Sequence, residues 1–189
     1  MKNDLIDLLK RLKSYGVAKN IPNVSESAGQ FLNMLVKITK AKNILEIGCA
    51  NGYSTIWLAE AVAENNGRII SIDFSKPSFE AAKRNITEAG FSDIVDFHFG
   101  DALEIIPTIK NPEKFDLVFV DGEKRSYSDF WNTIKNRLNN RAVIIFDDVI
   151  AFPYKTADFM KKMKNVIGFD QVILPIDKDD GVLILYKIS

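Results

Sequence analysis

The chain has 189 residues, 47% hydrophobic and 26% charged, with 25 Lys+Arg against 25 Asp+Glu, a formal net charge of zero. This length and balance predict an ordinary globular chain, residues 1–189 as a single domain, and exclude a chain-wide electrostatic pull toward nucleic acid or an anionic membrane. The lone Cys49 excludes an intrachain disulfide, no apolar run reaches membrane-spanning length, and the start (Met1-Lys2-Asn3-Asp4) is charged, so a cytoplasmic protein with no membrane partner is expected.

In chain order, residues 2–18 carry Leu5, Ile6, Leu8, Leu9 and Leu12 at helical spacing, with Gly16 as the expected stop. Residues 21–24 read as a loop. Ser25 and Ser27 offer N-caps to a second helix whose apolar face is Phe31, Leu32, Leu35, Val36 and Ile38. The period then changes. Short runs rich in Ile, Val and Phe (44–47, 68–72, 95–99, 115–120 and 142–146) predict strands. Helical stretches lie between and after them at 53–64, 77–89, 102–109 and 126–138. Alternation of this kind predicts an α/β fold with a parallel sheet and helices on both faces. A further helix over 154–166 is followed by strands at 170–176 and 182–188. Their five-residue connection ends in Asp180-Gly181, so this last pair must be antiparallel. Residues 1–42 form an N-terminal helical part and 43–189 the α/β core.

The first strand ends in Leu45-Glu46-Ile47-Gly48-Cys49-Ala50-Asn51-Gly52-Tyr53-Ser54, a strand, tight turn and helix start. The two glycines, four apart, lack the third glycine of a dinucleotide fingerprint and the lysine of a P-loop. The turn reads as the phosphate- or nucleoside-binding corner of an open α/β sheet, where Gly48 and Gly52 permit a close backbone approach and Glu46 can supply an acceptor. Cys49 invites a nucleophile reading. With the single histidine, His98, far off in sequence, both are read as structural.

Ligands of such sheets bind beyond the carboxyl ends of the strands. The second strand ends at Asp73, suited to a ribose diol or to capping the next helix. The third ends at Gly100-Asp101-Ala102, where Gly100 frees the backbone, Ala102 leaves room for a flat ring, and Asp101 serves the ligand or caps a helix. The fourth ends at Asp121-Gly122-Glu123-Lys124 and the fifth at Asp147-Asp148. Three carboxylates on neighbouring strand ends repel unless neutralised, and a hard divalent cation such as Mg²⁺ neutralises them.

The motif E-x-G-x-x-x-G-x-S resembles motif I of class I S-adenosylmethionine-dependent methyltransferases. With Phe115 to Asp121, Lys124, Tyr127 and Ile145 to Val149, the chain resembles the metal-dependent O-methyltransferases of the catechol and caffeoyl-CoA type, from Ser25 to the C-terminus. The resemblance implies a Rossmann-like, seven-stranded, mostly parallel sheet with a C-terminal antiparallel hairpin. It implies S-adenosylmethionine contacts at Val24, Glu46, Gly48, Cys49, Ser54, Asp73 and Ala102, to which Gly100, Asp101 and Asp121 are added as neighbours. It implies magnesium ligands Asp121, Asp147 and Asp148, and a general base, Lys124, with a pKa lowered by the metal. The acceptor is then a small hydroxylated molecule. A hydroxylated uridine of tRNA and an inactive cofactor-binding protein are the alternatives, and a homodimer through the N-terminal helices is expected.

Four features depart from that family. Asp148 stands where Asn is usual. Glu123 stands where catechol enzymes carry an aromatic wall. An acid orienting a second hydroxyl is missing near Leu174-Pro175. The N-terminal part that covers the acceptor is short.

Overall fold

The computed structural model describes residues 1, 3–178 and 180–188. Lys2, within the expected first helix, Asp179, within the expected hairpin turn, and Ser189 lie outside the described residues. Seven strands form one sheet: β1 (Asn43–Ile47), β2 (Arg68–Asp73), β3 (Val95–Phe99), β4 (Phe115–Val120), β5 (Leu138–Phe146), β6 (Phe169–Pro175) and β7 (Gly181–Lys187). Their order is β3-β2-β1-β4-β5-β7-β6. The first five strands are parallel, β7 runs antiparallel to β5, and β6 runs antiparallel to β7. The expected sheet is therefore observed. Chain order reverses between β1 and β4, so a crevice opens there beyond the strand ends.

The alternation of strand side chains decides which helices cover which face. Ile44, Ile69, Leu117, Phe119, Val143 and Ile145 pack with α1 (Asn3–Lys19), α2 (Glu26–Thr39), α3 (Tyr53–Glu64) and α4 (Lys76–Ala89). Leu45, Ile70, Ile72, Val118, Ile144 and Phe146 point the other way, onto α5 (Ala102–Ile105), α6 (Tyr127–Ile134) and α7 (Pro153–Met163). Both faces of the central strands β1, β2 and β4 are dry, as their nearly uninterrupted apolar runs require, while the edge strand β6 is largely exposed. No helix among the described residues is long and apolar enough to cross a membrane.

Several boundaries differ from expectation for local reasons. Gly16 does not end α1, which continues to Lys19. Gly16 instead makes room for Asn23, whose Nδ2 would lie 2.4 Å from a Cβ at that position. The helix expected over 102–109 is a single α-turn followed by a 3₁₀ turn, Ile106–Thr108, because Pro107 has no N–H for the α-helical ladder. The helix expected over 126–138 is α6 flanked by 3₁₀ turns at Lys124–Ser126 and Lys135–Arg137. β5 starts at Leu138 rather than Ala142: a register shift against β4 and a left-handed Arg141 (φ 64°) absorb the extra residues as a bulge. α7 stops at Met163, where the amides of Asn165 and Val166 turn back to Lys162 O and Met163 O.

Tyr127 ties the fold to the crevice. It is fully buried at the start of α6, and its hydroxyl lies 2.8 Å from Asp147 O and 3.2 Å from Val120 O, the carbonyls that end β5 and β4. Tyr127→Phe removes the donor to Asp147 O, while Val120 O keeps the Asp147 amide, and leaving that buried carbonyl unpaired costs about 1–3 kcal/mol. Urea unfolding of the variant should show a lower midpoint with an unchanged slope. An unchanged midpoint would mean that the two strand ends do not depend on this hydroxyl.

Candidate active site

The β1–α3 turn is held by carboxylates, not only by its glycines. Asp73 Oδ2 accepts from Cys49 N and Ala50 N, both at 3.0 Å, and Oδ1 accepts from Ser75 N at 2.8 Å. Asp73 thus braces the turn from the end of β2, while the cap of α4 is Ser75. Gly48 (φ 90°) has its absent Cβ position only 2.5 Å from Asp121 O, so glycine is required for β1 to pass the end of β4. Gly52 (φ 85°) faces Ala82 of α4 in the same way, at 3.1 Å from its Cα.

Glu46 is tied to the turn by hydroxyl donors. It is fully buried and accepts from Thr55 Oγ1 at 2.6 Å, Ser54 Oγ at 2.7 Å and Ser71 Oγ at 2.7 Å. Ser54 is committed to the same carboxylate. Burial raises the Glu46 pKa from 4.5 to about 7, against the three hydroxyl donors that favour its charged form. Cys49 is buried, and burial, with Glu46 and Asp73 nearby, drives its thiol far above the usual range, which removes the nucleophile reading. His98 pairs with Asp96 at 3.1 Å on the β3 edge.

Gly48, Asp73, Gly100, Asp101, Ala102, Asp121, Lys124 and Asp148 all line one cleft of about 720 Å³ at the strand ends. This is the size of a small-molecule or cofactor site. Asp101 Oδ1 also caps α5 through Leu103 N at 2.8 Å. Glu46, Cys49 and Ser54 are buried in and behind the turn that borders the cleft. Val24 and Asp147 border an adjoining cavity of about 220 Å³ that shares Asp148 with the cleft. The loop carrying Val24 is fixed by Lys13 of α1, whose Nζ donates to Val24 O at 2.7 Å and Asn23 O at 3.0 Å.

Glu123 supplies no apolar wall, yet the cleft has one. Ile21, Pro22, Phe74, Phe130 and Phe152 line it from four separate segments. This was invisible in sequence because none of these residues neighbours Lys124 in the chain.

Lys124 is 8% exposed, with Nζ 2.5 Å from Asp121 Oδ1 and 2.8 Å from Asp148 Oδ2. Burial opposes its charge, but the two carboxylates hold its pKa above the usual lysine value. Burial raises Asp121 to about 6 and Asp147 well above the carboxylate range. Asp148 is held low despite burial, by the Asp180 carboxyl and Lys124, and it sits in the left-handed region (φ 57°).

Asp180 was missed as a site residue. In sequence it reads only as the acid of an Asp-Gly turn, and no orienting acid is expected near Leu174-Pro175. The β6–β7 register pairs Pro175 with Gly181, so Asp180 stands beside the position judged to lack an acid. Carboxylate oxygens of Asp147, Asp148 and Asp180 lie within 4.8 Å of one another, whereas Asp121 is outside this group and paired with Lys124. An all-carboxylate oxygen set suits a hard divalent cation.

Glu46 has a measurable consequence. Its raised pKa means that folding favours the protonated form: the carboxyl destabilises the fold progressively as pH rises from about 4.5 to about 7, by on the order of 3 kcal/mol in total. Glu46→Gln should remove this dependence. Thermal melts of variant and parent should diverge across that window in favour of the variant, beyond any constant offset. Parallel curves would contradict the assignment.

Comparison with known proteins agrees with this geometry. The O-methyltransferase family profile matches residues 2–185. The chain is 35% identical over 130 residues to a catechol O-methyltransferase of Niastella koreensis, a match covering 68% of this chain and 58% of that relative's length. It is 36% identical over 194 residues to caffeoyl-CoA O-methyltransferase 1 of Arabidopsis thaliana, covering 90% of this chain and 73% of the relative. Its structure superposes on an O-methyltransferase from Bacillus cereus in complex with SAH with a TM-score of 0.85 at 27% identity, covering 97% of this chain and 91% of that one. With its seven-stranded sheet, its strand-end cleft and a family match along nearly its whole length, the chain belongs to the O-methyltransferase family.

Proposed function

We propose that this chain moves the methyl group of S-adenosylmethionine to a hydroxyl of a small, flat acceptor of the catechol type. The observation that carries the reading is Lys124: a buried amine bonded to Asp121 and Asp148, within a cleft whose other end is the Gly48–Asp73–Ala102 corner. That corner fits the cofactor. Gly48 and Gly100 keep the backbone close, Ala102 leaves flat space, and Asp73 Oδ1 keeps acceptor capacity toward a ribose diol after its bond to Ser75 N. The apolar wall of Phe74, Phe130 and Phe152 fits an aromatic acceptor.

A divalent cation, magnesium for preference, belongs with the strand-end acids Asp121, Asp147 and Asp148. The donor chemistry fits, since Asp147 is 9% exposed and its carboxylate has no ion pair or side-chain hydrogen bond among the described residues. When bound, the cation would stabilise negative charge on an acceptor oxygen. The protein's own residues do the rest. The cleft brings two reactants together in line, the aromatic wall orients the acceptor, and Lys124 takes the hydroxyl proton as general base. Lys124 begins as a protonated member of two ion pairs, so it must release a proton before it can accept one.

Two experiments test this reading. The protein is incubated with S-adenosylmethionine, Mg²⁺ or chelator, and either catechol-type acceptors or a tRNA transcript, and S-adenosylhomocysteine is quantified by mass spectrometry. Turnover of a small acceptor that chelator abolishes is expected; turnover of the transcript alone would reassign the acceptor. Lys124→Arg keeps the charge but not the ability to deprotonate. It should bind cofactor normally and lose about 10²- to 10⁴-fold in turnover, as Lys124→Ala should. Retained turnover in the arginine variant would remove Lys124 as the base.

A further inference from the structure

We infer that Asp180 is a direct ligand of the divalent cation, joining the strand-end acids Asp147 and Asp148, so that this chain's metal centre draws on the β6–β7 turn as well as the end of β5. The inference rests on the metal-dependent reading above and extends it to a residue outside the expected ligand set.

Three observations lead to it. First, the carboxylate oxygens of Asp147, Asp148 and Asp180 come within 4.8 Å of one another, the separation at which one ion touches all three. Second, the Asp147 carboxylate is buried with no ion pair or side-chain hydrogen bond among the described residues, only the backbone of its neighbour Asp148, and it lies within reach of the other two. An unpaired buried carboxylate is costly, and a cation is the partner that removes the cost. Third, Asp180 is held in place by backbone amides as well as by its bond to Asp148. Its Oδ1 accepts from Gly181 N at 2.6 Å and Ala151 N at 3.1 Å, and Val149 N donates to Gly181 O at 3.0 Å, so the turn is fastened to the segment after β5. The cavity of about 220 Å³ bordered by these three acids with Val24 and Ser25 leaves room for the remaining water or substrate oxygens of a six-coordinate ion.

The aspartate at position 148 belongs to the same arrangement. An all-carboxylate set carries more negative charge than a set containing a neutral amide, and ligand charge count is a main determinant of affinity for hard cations.

The test reads metal binding, not turnover. Mn²⁺ affinity is measured by calorimetry on the full chain and on Asp180→Asn, with S-adenosylhomocysteine binding as the check that both are folded. Bound Eu³⁺ is then used to count inner-sphere waters from its luminescence lifetimes in H₂O and D₂O. The inference expects Asp180→Asn to weaken Mn²⁺ about tenfold or more and the Eu³⁺ complex to gain at least one water. Affinity within twofold of the parent, or weaker affinity with an unchanged water count, would overturn it, the latter because Asp180 would then act only through Asp148. A parent chain that binds S-adenosylhomocysteine but no Mn²⁺ would instead overturn the metal-dependent reading itself, and this inference with it. If Asp180→Asn fails to bind S-adenosylhomocysteine, Asp180→Glu replaces it: a shifted ligand still changes affinity and hydration, whereas unchanged values overturn the inference.

Discussion

Like charge gathered at one end of a sheet is the constraint to which the rest of this structure responds. Parallel strands deliver their carboxyl ends to a common edge, and here β4 and β5 end in Asp121, Asp147 and Asp148, with Asp180 arriving from the β6–β7 turn. Without compensation these acids would force one another to take up protons. Lys124 answers part of the charge by standing between Asp121 and Asp148. Tyr127 answers the backbone side, filling the space beneath them and satisfying the carbonyls of Val120 and Asp147. The polar centre is thus held by a dry aromatic support of Tyr127, Phe146 and Phe159, whose rings meet at 4.4–5.5 Å between centroids.

The other end of the cleft is organised by carboxylates turned inward. Asp73 and Glu46 both belong to the strand ends that face the cofactor corner, yet they divide the work. Asp73 holds the turn amides from the front and borders the cleft, while Glu46 locks α3 to β1 and β2 from behind through three hydroxyls. A glycine turn supported on both sides loses little freedom when a ligand arrives, which is the physical meaning of a preorganised site.

The N-terminal part bears on the same site. Lys13 of α1 grips the carbonyls of Asn23 and Val24, so the loop that borders the acids is positioned by a helix packed on α3. Phe74 after β2 and Phe152 before α7 join Ile21 and Pro22 of this part in lining the cleft.

Much of this was legible in the sequence. A period of two against a period of 3.6, glycine and proline punctuation and an Asp-Gly hairpin are local signals, and they were enough for the seven strands, their directions and the acids at their ends. The match of E-x-G-x-x-x-G-x-S and Asp121, Lys124, Asp147 and Asp148 to a known pattern was likewise readable without coordinates. Helix ends were misjudged where a tertiary contact overrode a local cue, as at Gly16, or where a bulge lengthened β5. What only the tertiary structure decided is who meets whom. Glu46 is an internal acceptor because Ser71 arrives on β2 and Thr55 on α3. The aromatic wall exists because four distant segments converge. Asp180 joins Asp147 and Asp148 because the antiparallel register sets Gly181 opposite Pro175 and the turn docks on the end of β5. Such meetings depend on strand order and register over long stretches of chain, and no local pattern of side chains encodes them.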